Sequence, residues 1–182
     1  MRSNLFVLIF ISFTTLSYGQ TVRKIEAIRK KVEAINSDTN YSIKKLNNDY
    51  FVDVKNEVAD GGQELTGYYK KKQIKKIIYT VGISYVMTTY KYYFSDNKLL
   101  FVFEKQDTYA QIKDSLGHST GFNYSKLEFA FEGRYYFDKF KLFETKKIGK
   151  EWFANGKNDN KEDEFLTDSK SFVEELRNAK KN

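Results

Sequence analysis

The sequence predicts an α+β fold: a single antiparallel sheet of about six strands, arranged as three hairpins, packed against an N-terminal and a C-terminal helix. Three observations carry this reading. Apolar residues recur at helical spacing near the N-terminus, and another such stripe closes the chain. Between them the text changes to aromatic and β-branched residues in short runs separated by polar triplets, the pattern of strands and turns. At 182 residues the chain has the length of one domain with its own core.

The first residues read as a targeting segment rather than as fold. Arg2 is followed by Leu5–Leu16, a run of twelve residues broken only by Ser12, Thr14 and Thr15. Ser17-Tyr18-Gly19 then places small residues where a signal peptidase reads, so residues 1–19 form a signal peptide cleaved before Gln20. The apolar run falls short of the roughly 20 residues that span a bilayer. Residues 20–182 then form a single α+β domain. Export without any cysteine favours a bacterial periplasmic or extracellular product held together by its core alone.

Ile25, Ile28, Val32 and Ile35 mark an amphipathic helix from about Val22 to Ile35, ended by Asn36-Ser37-Asp38-Thr39-Asn40. Residues 41–60 stay open: Tyr41–Leu46 reads as a short strand, Asn47–Ala59 as a loop or short helix. Three later segments share one pattern, an aromatic pair, three mostly polar residues, Lys or Gln, then an aliphatic residue. They begin at Tyr68-Tyr69, Tyr93-Phe94 and Tyr136-Phe137. The polar triplets sit where hairpin turns belong, which predicts strands at about 64–69, 74–81, 85–94, 99–105, 126–137 and 141–146. Gln106–Asn123 and Gly149–Lys161 read as loops, the latter anchored by Trp152 and Phe153. Phe165, Leu166, Phe172, Val173 and Leu176 mark the last helix, with Asp168 or Ser171 as its N-cap.

Strand alternation sorts the aromatics by face. Tyr69, Phe94 and Phe137 are assigned to the core under the helices. Tyr68, Tyr93 and Tyr136 fall on the opposite face among polar neighbours such as Lys91 and Arg134, an exposed surface suited to stacking and cation–π contacts. Lys71 and Lys72 head a basic patch on the first hairpin. These seven residues are the binding candidates: Tyr68, Tyr93, Tyr136, Lys91, Arg134, Lys71 and Lys72.

The composition excludes much chemistry. With no Cys and one His, thiolate zinc sites, thiol nucleophiles and multi-histidine metal centres have no residues to build them. His118 lies beside Asp114 and Ser115, but no nucleophile-elbow or oxyanion signature accompanies them, so it reads as a loop histidine. Asp159, Glu162, Asp163, Glu164 and Asp168 lack the EF-hand pattern and read as a solvated stretch favouring the start of the last helix. Glu128 and Glu132 share a strand face as any polar strand provides. No cofactor, metal site or catalytic residue is assigned. The net charge is +7, or +6 once Arg2 is removed with the signal peptide, and the lysines concentrated around the hairpins suit an anionic partner; export turns that away from nucleic acid toward a protein, a glycan or another anionic envelope component.

The recurring Tyr-Tyr-Phe-x-x-x-Lys-Leu hairpin, with Gly133-Arg134-Tyr135-Tyr136-Phe137, resembles the variant MORN-type hairpins of exported bacterial proteins over about residues 64–145. The resemblance implies a binding or scaffolding sheet with no catalytic residues. The expected function is therefore an exported, non-enzymatic binding domain. The alternative is a small-ligand carrier or enzyme with an aromatic-lined pocket between sheet and helices.

Overall fold

The computed structural model describes residues 4–152 and 160–179, the side chains of residues 4–18 excepted. The chain divides into two compact units, Met1–Thr39 and Asn40–Asn182. The first contains one helix, α1 (Asn4–Ser37), along which Ile25 and Ile28 are buried and Val32 and Ile35 half-buried, at the spacing of three, four and three. Among the described residues no helix is long and apolar enough to cross a membrane.

The second unit is an antiparallel meander of seven strands in sequence order: β1 (Ser42–Leu46), β2 (Gln63–Lys70), β3 (Gln73–Ile83), β4 (Val86–Ser95), β5 (Lys98–Lys113), β6 (Ser119–Asp138) and β7 (Lys141–Gly149). A helix, α2 (Lys161–Asn178), follows. The α+β architecture is as expected, with one strand more than the six predicted. The addition is β1, which pairs with β2 from Ser42↔Tyr69 to Leu46↔Leu65. Beyond it, Tyr50–Val54 makes one π-helical turn that buries Phe51.

The three hairpins share one geometry. Their turns, Lys71-Lys72, Asp96-Asn97 and Lys139-Phe140, all carry two residues at positive φ between 49° and 68°, as a type I′ turn requires. The register shifts at the aromatic pair in each, between Tyr68 and Tyr69, Tyr93 and Phe94, Tyr136 and Phe137. A bulge beside a primed turn adds to the right-handed twist.

Two stretches depart from the sequence reading. Gln106–Asn123 is not a loop: β5 and β6 run on through it as a long arm, and only Asp114–His118 turns. The arm pairs with itself and leaves Ile112, Leu116, Tyr124, Leu127 and Phe129 exposed, so it lacks the alternation that marks a half-buried strand. Asp114 Oδ1 closes its tip by accepting from the amides of Leu116 and His118, both at 2.9 Å. The second departure is that the strand predicted at 126–137 is not regular: its register shifts opposite Gln106 and Asp107, which pair with Phe131 and Phe129. One extra residue, Ala130, reverses the alternation, so Phe131 is buried while Phe129 and Leu127 are exposed.

The core lies between the sheet and α2. Leu65, Ile77, Tyr92, Val102 and Tyr135 project to this side and meet Phe165 and Leu176. Phe94 and Phe137 join them, and Tyr69 packs at the margin, as alternation predicts. The N-cap of α2 lies eight residues before Asp168: it is Asn160, accepting from the Asp163 amide, and Glu162, Asp163 and Glu164 occupy the first turn, where carboxylates favour the helix dipole. Trp152 is half-buried edge-on to Tyr85, 5.4 Å between centroids, and Phe153 and Asp159 lie outside the described residues.

Candidate functional site

The predicted tyrosine face is not an open platform. Tyr93 and Tyr136 are 3 % and 1 % exposed. Register explains part of this: Tyr93, Phe101 and Tyr136 are direct cross-strand partners, and their rings pack at 5.7 and 4.9 Å, with Phe143 adjoining Tyr136. Each ring covers the next. Tyr68 is half-buried, edge-on to Tyr41 and covered by Lys76 Nζ 4.4 Å from its centroid. Lys91 and Arg134 flank Phe103, at 5.5 and 5.8 Å, and Arg134 also donates to Glu132 at 2.6 Å. Five of the seven candidates thus share the face opposite α2, engaged with one another's neighbours. Lys71 and Lys72 are exposed at the first turn.

Lys72 belongs to a different arrangement. Between the turn ends of the first two hairpins and the C-terminal half of α2 lies a cavity of about 430 Å³. Its charged walls are Lys44 of β1, Lys72 and Arg177 of α2; Tyr69, Phe94 and Asn97 line it too, and no carboxylate does. Lys44 is spent structurally, since its ammonium donates to the carbonyl of Ala179 at the end of α2. It thereby neutralises the negative end of the helix dipole beside the cavity. Lys72 and Arg177 make no ion pair among the described residues. Burial raises the Tyr69 phenol above its ordinary pKa, against the opposing pull of Arg177, so it stays a neutral hydroxyl.

A second polar cluster sits under the N-terminal half of α2. Glu104 is 0 % exposed, accepting from Tyr135 Oη at 2.9 Å and Gln106 Nε2 at 3.1 Å, with Lys161 Nζ 3.7 Å away. Gln106 in turn accepts from the Trp152 amide at 2.8 Å. Lys161 also reaches Glu151 and Glu164 at 3.1 and 3.3 Å. Burial pushes the Glu104 carboxyl up, Lys161 and the Tyr135 bond pulling the other way. Asp168, bonded by Tyr92 Oη at 3.4 Å, is pushed up to about 6 by burial, with Glu164 adding to it. Buried groups in this number need mutual satisfaction, and the pairs here fasten α2 to the sheet. Among the described residues no group of acidic or histidine side chains is arranged to hold a metal.

Lys72 is legible in the sequence as part of the basic hairpin, but its partners in the cavity are not. Lys44 lies in the stretch read as ambiguous, and Arg177 is one of many charges on a terminal helix. Only the pairing of β1 with β2 and the path of α2 bring them together. No known protein family matches the chain, and no curated protein or solved structure is significantly similar to it.

Proposed function

We propose that the chain is an exported, non-enzymatic binding domain that takes an anionic group of its partner in the groove lined by Lys44, Lys72 and Arg177. The observation that carries this reading is a cavity lined by three cations and no carboxylate, two of those cations making no ion pair among the described residues. Cations lining one cavity raise its positive potential, and an anion relieves it. The site also joins the two readings of the sequence: the lysine-rich hairpin supplies one wall, and Tyr69 and Phe94 make an aromatic pocket between sheet and helix. A binding role fits the MORN-type resemblance of the hairpins, and the short apolar leader supports export.

Titration of the protein with inorganic pyrophosphate, followed by calorimetry, tests this. Saturable binding is expected at low salt, fading as the Debye length shrinks from about 10 Å at 0.1 M to 3 Å at 1 M. The double variant Lys72→Gln, Arg177→Gln loses two charge-assisted contacts and should bind roughly tenfold more weakly or worse. Equal binding by that variant would place the anion elsewhere.

A further inference from the structure

We propose that this groove holds a single-chain acyl carboxylate, its head between Lys72 and Arg177 and its chain laid along α2. The inference rests on the anion-binding reading above and names the ligand for that site.

A second cavity, of about 200 Å³, adjoins the first, and both are bounded by Phe94, Asn97, Val173 and Arg177. Moving away from the cations, the walls turn apolar: Leu99 from the sheet, Leu166 from the helix and Phe140 from the third hairpin turn. On α2 the lining positions 166, 169, 170, 173, 174 and 177 follow helical spacing, so they form one stripe along the helix. From Leu166 to Arg177 that stripe runs roughly 16 Å at 1.5 Å per residue. The trough is therefore elongated, cationic at one end and apolar at the other.

Its polar side chains do not spoil this character. The Ser169 hydroxyl donates back to the Leu166 carbonyl at 3.0 Å, which occupies its proton. Lys170 and Glu174, four apart on the helix and both exposed, offset each other in charge. Phe140 is 47 % exposed, with Lys98 Nζ 5.9 Å from its ring. A large ring left open at a trough's apolar end gains most from a ligand that covers it. A compact anion such as phosphate would use the cationic end alone. An acyl carboxylate uses both ends: charge-assisted bonds at the head, area removed from water along the chain.

The test compares acetate, hexanoate, decanoate and decanol on the full chain by calorimetry, with inorganic pyrophosphate as reference. Affinity is expected to rise roughly tenfold or more from hexanoate to decanoate, since each methylene adds to burial. Lys72→Gln with Arg177→Gln should weaken decanoate and leave decanol unchanged. Phe140→Ser, at a partly exposed turn position, should weaken decanoate and leave pyrophosphate unchanged, with circular dichroism melts confirming that each variant folds. Affinity independent of chain length overturns the proposal, as does decanol binding as tightly as decanoate. Pyrophosphate binding at the groove without decanoate binding also overturns it, while leaving the anion-binding reading in place. Failure of both ligands overturns both.

Discussion

Lys139 and Phe140 turn the third hairpin at φ of 50° and 68°, a region that costs most L-residues about 1–2 kcal/mol and that Asn and Gly occupy more readily. Lys139→Asn should therefore raise the thermal midpoint by the equivalent of roughly 0.5 kcal/mol, the Lys139 side chain being exposed. An unchanged or lower melt would show that the turn is not under this strain. Asp168 gives a pH-dependent prediction. Its folded pKa of about 6 lies above the ordinary aspartate value, so the folded state holds the proton more tightly. Stability conferred by that proton is present at low pH and is lost as pH rises from about 4 to 6. Glu104 titrates in the same sense, whereas Glu151, whose pKa Lys147 and Lys161 lower against burial, loses its contribution as pH falls. Asp168→Asn should flatten the melt-versus-pH curve between pH 4 and 6. At pH 7.5 it should stabilise by about 1 kcal/mol, discounted for partial exposure from the larger shift. A loss of stability at pH 7.5 would mean that the charged carboxylate is itself needed. None of these buried groups was legible in the sequence, because Glu104 and Asp168 look like any surface carboxylate until the sheet and α2 close over them.

At the scale of elements, the three hairpins were readable because aromatic pairs, polar turns and aliphatic resumption recur in order. Equivalence of Tyr69, Phe94 and Phe137 followed from that order, and all three reach the core or its margin. The exposure of Tyr93 and Tyr136 did not follow, since alternation tells which face a residue takes and not what neighbours cover it. Nor did the long arm, whose strands satisfy their backbone by pairing with each other and need no apolar alternation. Gly133 illustrates a constraint between strands. It lies opposite Glu104, and an added Cβ would come within 2.6 Å of the Tyr135 ring, which is held over it by the bond to Glu104. Gly133→Ala should cost about 1–3 kcal/mol, an overpacking penalty read as a lower denaturant midpoint. A neutral result would show that Tyr135 can leave Glu104 without loss.

For the unit formed by residues 40–182, a seven-stranded meander is covered on one face by α2, and that helix does two jobs. Its N-terminal half is fastened by buried ion pairs, and its C-terminal half leaves a basic groove against the hairpin turns. Deleting residues 161–179 should therefore do more than remove Arg177: it should strip Phe165 and Leu176 from the core and abolish cooperative melting. A truncated chain that still melted cooperatively would separate the helix from the fold. The architecture was legible in outline because two amphipathic stripes and repeated hairpins leave few alternatives. The groove was not, since it joins β1, two turns and the end of α2 from distant parts of the chain.

The most direct test of the anion-binding groove is to follow backbone amide shifts of the protein while inorganic pyrophosphate is added. Saturating changes are expected, concentrated at Lys72, Asn97, Val173 and Arg177 and abolished in the Lys72→Gln, Arg177→Gln variant. Changes centred instead on Lys91, Phe103 and Arg134, or spread evenly over the lysines, would contradict an anion site in the groove.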